Sequence, residues 1–164
     1  MRRGLDFSEL KAYAETLRSE VENRSFEDFL KRFLIDNAEQ VLALAKPRTP
    51  KDTGATMASW GLGEENFHVR SAVNRSQRES WAAQEIDYRN LGLEIVKVDG
   101  NNMTLMLYNS MPYSSYLEYG TPGKPGWKWA AGAHMMTISV DEVYNMMPSR
   151  YEQAFEKWAA ERGL

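Results

Sequence analysis

Asp52-Thr53-Gly54 is the tripeptide of this chain with the most pointed chemical precedent. In aspartic proteases the same three residues carry the catalytic aspartate, and two such carboxylates share a proton to activate water. The chain has one copy, so that chemistry would need a dimer to bring two Asp52 side chains together. A protease aspartate also follows a hydrophobic strand in a mostly β fold. Here Pro47, Pro50 and Lys51 precede it, after a stretch patterned as helix. The competing reading is local: Asp52 and Thr53 bond to nearby backbone, and Gly54 supplies a turn conformation. The local reading is the expectation, and an aspartic-type hydrolase built on Asp52 is the alternative.

The other reactive side chains do not assemble into a site. There is no cysteine, which removes disulfides, thiolate metal sites and cysteine nucleophiles together. His68 and His134 are the only histidines, and they share no metal-ligand spacing. Glu64-Glu65 and Asp141-Glu142 are adjacent in sequence, so their carboxylates point different ways. Gly123-Lys124-Pro125-Gly126 lacks the length of a phosphate loop and its following Ser or Thr. No nucleophile, base and orienting group can be grouped. The expectation is therefore no catalysis, no metal and no cofactor. With 20 basic and 23 acidic residues the net charge is −3, and no basic block marks a nucleic-acid footprint. A DNA-binding accessory protein is thus a second alternative, and sequence-specific nucleic-acid binding is not expected. No apolar run approaches the ~20 residues of a membrane helix, so no membrane partner is expected. Met1-Arg2-Arg3-Gly4-Leu5-Asp6 has no apolar stretch behind it and does not read as a signal peptide.

Apolar residues make up 43% of the chain and charged residues 26%, the range of folded domains. A single domain over 1–164 is expected. Its N-terminal helices span 6–46. Leu10, Tyr13, Ala14, Leu17 and Val21 recur at helical spacing, with Asp6 and Glu9 able to cap the start. Ser25 and Asp28 resemble a capping box for a second helix, whose face runs Phe26, Phe29, Leu30, Phe33, Leu34, Val41, Leu42, Ala45. Pro47 and Pro50 should stop it. A sheet region spans 57–110, with three to five antiparallel strands. Phe67, Val69, Ser71 and Val73 alternate as on a strand, and Asp99-Gly100-Asn101-Asn102 is a hairpin turn from which Leu105, Leu107 and Tyr108 return. Residues 74–90, with Trp81, read as a loop or short helix. Pro112–Glu118 reads as a short helix at the strand end. C-terminal helices span 139–161. Ser139 with Glu142 starts one that ends near Pro148, and Ser149 with Glu152 caps another, with Tyr151, Ala154, Phe155, Trp158 and Ala159 on one face. The class is α+β, with the Phe29, Phe33 and Val41 face of the second helix laid on the sheet.

Between the sheet and the last helices lies a glycine-rich and aromatic arm, 120–133. Gly120, Gly123, Gly126 and Gly132 exclude long regular structure there. Tyr113, Tyr116, Tyr119, Trp127 and Trp129 crowd into and around it. Tyr116 and Tyr119 can be core residues. Aromatic side chains held out on an arm usually meet a partner. Base stacking would use them too, but Lys124 and Lys128 alone do not make a basic groove.

Three segments carry a resemblance. Thr49-Pro50-Lys51-Asp52-Thr53-Gly54 with Ser59-Trp60 resembles the helix-to-strand signature of a phage tail-component family. That family is typified by the gene-product-ten tail protein of a lambdoid phage, and the minor tail protein Z of phage lambda is similar. Tyr108-Asn109, then Tyr113-Ser114-Ser115-Tyr116-Leu117-Glu118-Tyr119-Gly120-Thr121, resembles its second signature. Trp129, Gly132 and His134-Met135-Met136 resemble a third stretch. The resemblance runs from about Phe26 to Trp158. Two departures are Thr56-Met57, where the family often has leucine and arginine, and a longer connection over 63–90.

The resemblance implies a structural virion protein of a tailed bacteriophage, assembled in the host cytoplasm as a tail-completion or neck component at the head–tail junction. It implies a homo-oligomeric ring that touches head-closure and tail-tube or terminator proteins. There are no catalytic residues to carry over, and the signature residues become turn and packing devices. The interaction residues expected are Trp127, Trp129, Tyr116, Tyr119 and Met135.

Overall fold

The computed structural model describes residues 8–51, 54–63, 74–82, 92–121 and 130–164. The fold is α+β and mostly helical. Two long helices, α2 (Ser25–Arg48) and α6 (Met135–Ala160), form its frame. They run antiparallel, with Phe29 against Trp158, Asn37 bonded to Arg150 and Arg48 bonded to Ser139. Equal steps along one helix thus match equal steps back along the other. α1 (Ser8–Glu22) joins α2 through Asn23 and Arg24. Arg24 sits in the left-handed region at φ 59° and occupies the N-cap position with no side-chain cap.

The expected Ser25–Asp28 capping box therefore does not form. The left-handed Arg24 turns the chain one residue earlier, which makes Ser25 the first helical residue. Its hydroxyl instead accepts from Arg162 Nε. The partner residue of the other expected cap, Asp6, lies outside the described residues.

Of the three prolines expected to end helices, Pro47 and Pro148 lie inside them, and Pro50 stands two residues past the end of α2. α2 continues through Pro47 to Arg48 because side chains take over the carbonyls of its last turn. Arg48 Nη1 donates to Leu44 O, and the Thr49 hydroxyl donates to Ala45 O at 2.8 Å. α6 runs unbroken through Pro148 rather than as two helices. A proline removes one backbone donor and strains the preceding turn, but α6 is held against α2 on both sides of it, by Arg48 with Ser139 and Glu142 and by Arg150 with Asn37. Ser139 is consequently a buried residue in the second turn of α6, bonded to Met135 O, and Ser149 bonds to Met146 O; neither is a cap.

The strands are short and pair in three separate antiparallel ladders. β1 (Trp60–Leu62) pairs with β4 (Leu107–Asn109), β2 (Lys97–Asp99) with β3 (Asn102–Thr104), and β5 (Gly120–Thr121) with β6 (Ala130–Ala131). The hairpin turn falls where expected, with Asp99 opposite Asn102 and Gly100-Asn101 as its loop. Leu107 and Tyr108, however, leave that hairpin and pair with β1, so one continuous sheet does not form among the described residues. The strand expected over Phe67–Val73 lies outside them. α3 (Ala55–Ala58), α4 (Arg75–Ala82), a 3₁₀ turn (Leu93–Ile95) and α5 (Ser114–Tyr119) complete the chain.

Two apolar clusters sit at opposite ends of the α2–α6 pair. One gathers Ala38, Leu42 and Ala45 with Trp60, Leu62 and Met135. The other is aromatic: Phe29, Trp158 and Ala159, with Phe26, Tyr151 and Phe155 packed against them. Phe29 stacks edge-on to Phe155 and Phe33 to Tyr151. The Phe29 and Phe33 face of α2 thus meets α6, not the sheet as expected. A 24-residue helix is roughly 36 Å long, while a three-residue strand covers only about 10 Å. The β1–β4 ladder covers one end of α2, and the aromatic face of α6 covers the other.

Candidate functional site

The first signature segment and the end of β4 fold into one polar hub. The Thr49 hydroxyl, besides bonding Ala45 O, accepts from Trp60 Nε1 at 2.9 Å. Gly54 holds φ 86° at the N-cap of α3, the turn conformation expected of it. Ser59 bonds back to Ala55 O, and its own carbonyl receives Ser110 N at 3.1 Å. Asn109 ends β4 by spending both side-chain groups: Nδ2 donates to Thr56 O, and Oδ1 accepts from Met111 N. The Thr56 hydroxyl then meets the Tyr113 hydroxyl at 3.2 Å. Each of these polar groups has a structural partner. Asp52 and Thr53 lie outside the described residues, as does His68.

From Tyr113 the chain enters α5, which divides its residues between inside and outside. Leu117 packs on the first apolar cluster and Glu118 is buried. Tyr116 and Tyr119, one helical turn apart, are 56% and 73% exposed. They share a face because residues three apart on a helix are neighbours.

Glu118 fixes that face relative to α6. Its carboxylate accepts from Met136 N at 2.9 Å, Thr137 N at 2.8 Å and the Thr137 hydroxyl at 2.6 Å. It therefore satisfies the amides that begin α6, where negative charge is favoured. Burial pushes the carboxyl upward. The Thr137 hydroxyl, the two backbone amides and the charge of His134 outweigh it, and the group is held below its ordinary value. His134 is the left-handed residue before α6, at φ 47°, and its N–H bonds Glu118 O. It is placed as a turn residue beside a carboxylate. Among the described residues no group of three or more His, Cys, Asp or Glu could hold a metal.

The same corner pins the base of the arm. Ala133 N donates to Leu117 O at 2.7 Å, and β5 pairs with β6. Gly132 lies so close to α5 that a Cβ there would stand 2.2 Å from Glu118 O. The arm residues Trp127 and Trp129 lie outside the described residues. Met135, expected as an interaction residue, is 0% exposed and belongs to the core with Leu42 and Leu62. As the first residue of α6, its side chain packs into the frame.

Sequence reasoning missed Glu118 as the clamp between α5 and α6. The usable signal was a carboxylate two residues before a glycine, followed later by a helix start that lacks its own capping side chain. It also missed Arg48, whose guanidinium bonds Ser139 and pairs with Glu142 at 2.6 Å, because partners so far apart in the chain leave no local pattern.

A family model described as "Bacteriophage HK97-gp10, putative tail-component" matches residues 9–120. The match runs from the second residue of α1 through the hub to the start of β5, and so includes the first signature segment and all of the second but Thr121; the third lies beyond it. No curated protein and no solved structure matches the chain. Over most of its length, and through the two segments that build the hub and the tyrosine face, the chain belongs to this bacteriophage tail-component family.

Proposed function

We propose that this chain is a non-enzymatic structural part of the virion that acts at the head–tail junction as a tail-completion or neck component. In this reading identical copies form a ring that contacts head-closure proteins on one side and tail-tube or terminator proteins on the other. The observation that carries it is the Tyr116–Tyr119 face. Two large amphipathic side chains stand in water on a helix whose position is fixed by a buried carboxylate. Such a rigid aromatic pair is suited to anchoring a protein interface. The family's signature residues support the same reading, since they close turns and hydrogen bonds instead of grouping around a substrate. The arm from 120 to 133, with Trp127 and Trp129, is assigned to contacts with neighbours in the particle.

The test is a phage lacking the gene. Filled heads and separate tails should accumulate, and adding the purified protein to the extract should join them. Joined, infectious particles made without the protein would overturn the reading, as would its location elsewhere in a reconstruction of the virion. Asp52→Asn should leave joining intact, since asparagine can make most of the turn contacts of aspartate.

A further inference from the structure

We propose that the outer edge of β2 pairs with β2 of a second copy of this chain, antiparallel and about a twofold axis through Val98. The contact goes beyond the ring put forward above and does not rest on it. An isologous contact closes with two copies, so it describes the free protein and not the ring.

The β2–β3 hairpin is exposed along both strands. Lys97, Val98, Asp99, Asn102 and Thr104 stand in water, and Met103 is only partly covered. At the tip, a Cβ added to Gly100 would meet nothing within 4 Å. β2 and β3 pair with each other and with no third strand among the described residues. A lone two-stranded hairpin is marginal in water, and its open edges invite another strand.

The register fixes which groups that edge offers. The loop has two residues, Gly100 and Asn101, so the flanking Asp99 and Asn102 exchange hydrogen bonds and the pairs alternate from there. Val98 therefore turns its N–H and C=O away from Met103, toward the open edge. Val98 itself is 44% exposed.

The residues beside Val98 choose the occupant. Lys97-Val98-Asp99 is its own complement when run antiparallel. With Val98 opposite the same residue of the second copy, each Lys97 faces an Asp99 across the new ladder, and opposite charges so placed attract. A parallel pairing would set lysine beside lysine and aspartate beside aspartate. The β3 edge, Asn102-Met103-Thr104, carries no charge with which to select a register. A lysine alone on an edge deters pairing; a lysine two residues from an aspartate deters strands that do not reverse that order. Residues directly opposite each other share a face of a sheet. Met103 and Val98 of one copy, then Val98 and Met103 of the other, would form one apolar strip across the joined hairpins, with both Lys–Asp contacts on the opposite face.

Charge reversal tests the pairing. Lys97→Asp and Asp99→Lys each set like charges opposite one another in a homodimer, yet mixing the two variants restores an acid opposite a lysine at both places. Sedimentation of the purified full chain at low salt, where exposed ion pairs are least screened, is the readout. Wild type should show a concentration-dependent monomer–dimer equilibrium. Each variant alone should dimerise about tenfold more weakly, and the equimolar mixture should recover most of that loss. Val98→Pro removes the edge N–H without touching the β2–β3 bonds, and should abolish the dimer with little change in melting. A wild type that stays monomeric up to about 1 mM, variants that dimerise as well as wild type, or a mixture no better than its parts would overturn the proposal. So would slow exchange of the Val98 amide that does not depend on protein concentration, since the chain's own residues would then cover the edge.

Discussion

Arg150 Nε donates to Asn37 Oδ1 at 2.8 Å, midway between the two apolar clusters. Asn37 is 2% exposed and also bonds Phe33 O through Nδ2, so the amide is spent on holding the register of α2 against α6. Arg150→Met leaves a buried oxygen unpaired and should destabilise the protein by about 1–3 kcal/mol in urea unfolding. Asn37→Ala should cost a similar amount, and the double variant less than the two together, because the pair is coupled. Strict additivity, or single effects below about 0.5 kcal/mol, would show that the register is held elsewhere.

Glu118 makes a specific pH prediction. Its carboxyl is held below the ordinary 4.5 in the folded chain. A depressed folded value means that the stabilisation is fully present above the unfolded value and is lost as pH falls through the folded one. Wild-type melting temperature should therefore begin to drop below about pH 4.5, and Glu118→Gln should drop less steeply over the same acid range while being less stable at neutral pH. Glu20, lowered by its bond to Ser25, and Glu27, lowered by Lys31, add to the wild-type slope. The reading is thus the difference between wild type and variant; parallel curves would remove Glu118 from the account.

Gly132→Ala should destabilise the isolated protein by roughly 2 kcal/mol or more, because the added methyl would overlap the Glu118 carbonyl and neither backbone can easily yield. The same change should weaken amide protection at Ala133 and His134, whose N–H groups bond Leu117 O and Glu118 O. Unchanged hydrogen exchange at those two amides would contradict the close approach.

Met135 and the α5 tyrosines should separate cleanly. Met135→Ala empties a fully buried position and should cost about 2–5 kcal/mol. Tyr116→Ser and Tyr119→Ser should change the melting of the isolated chain by less than about 0.5 kcal/mol, yet reduce incorporation into particles. Trp127→Ala and Trp129→Ala, scored the same way, are expected to follow the tyrosines. Incorporation that falls only in step with thermal stability would assign these side chains to the core.

What could be read from the chain is what depends on near neighbours. The Asp99–Asn102 hairpin follows from its turn residues. The Tyr151, Phe155 and Trp158 stripe follows from helical spacing, and its rings do gather on α2. The α+β class and the family signatures were legible for the same reason. Pro148 was misread because its usual effect is local, while the bonds that hold α6 on both sides of it, Arg48 to Ser139 and Arg150 to Asn37, bridge 91 and 113 residues of chain; at Pro47 the helix runs only one residue further, to Arg48. β1 and β4 were not seen as partners because three-residue strands carry too little alternation to announce a distant register. Met135 was named as an interaction residue with no local pattern behind it, and its burial is set by α2 and β1, which lie far back in the chain.

The antiparallel pairing of α2 with α6 also sets an order of events during synthesis. Phe26, Phe29 and Phe33 leave the ribosome long before Tyr151, Phe155 and Trp158, since Asn37 and Arg150 are 113 residues apart. Until the later helix arrives, the aromatic face of the earlier one lacks its main cover, with only Leu17 of α1 to pack on it, and closing so long a loop is slow. A nascent chain of this kind is exposed to aggregation and to chaperones for much of its translation, and its frame cannot close until α6 has emerged.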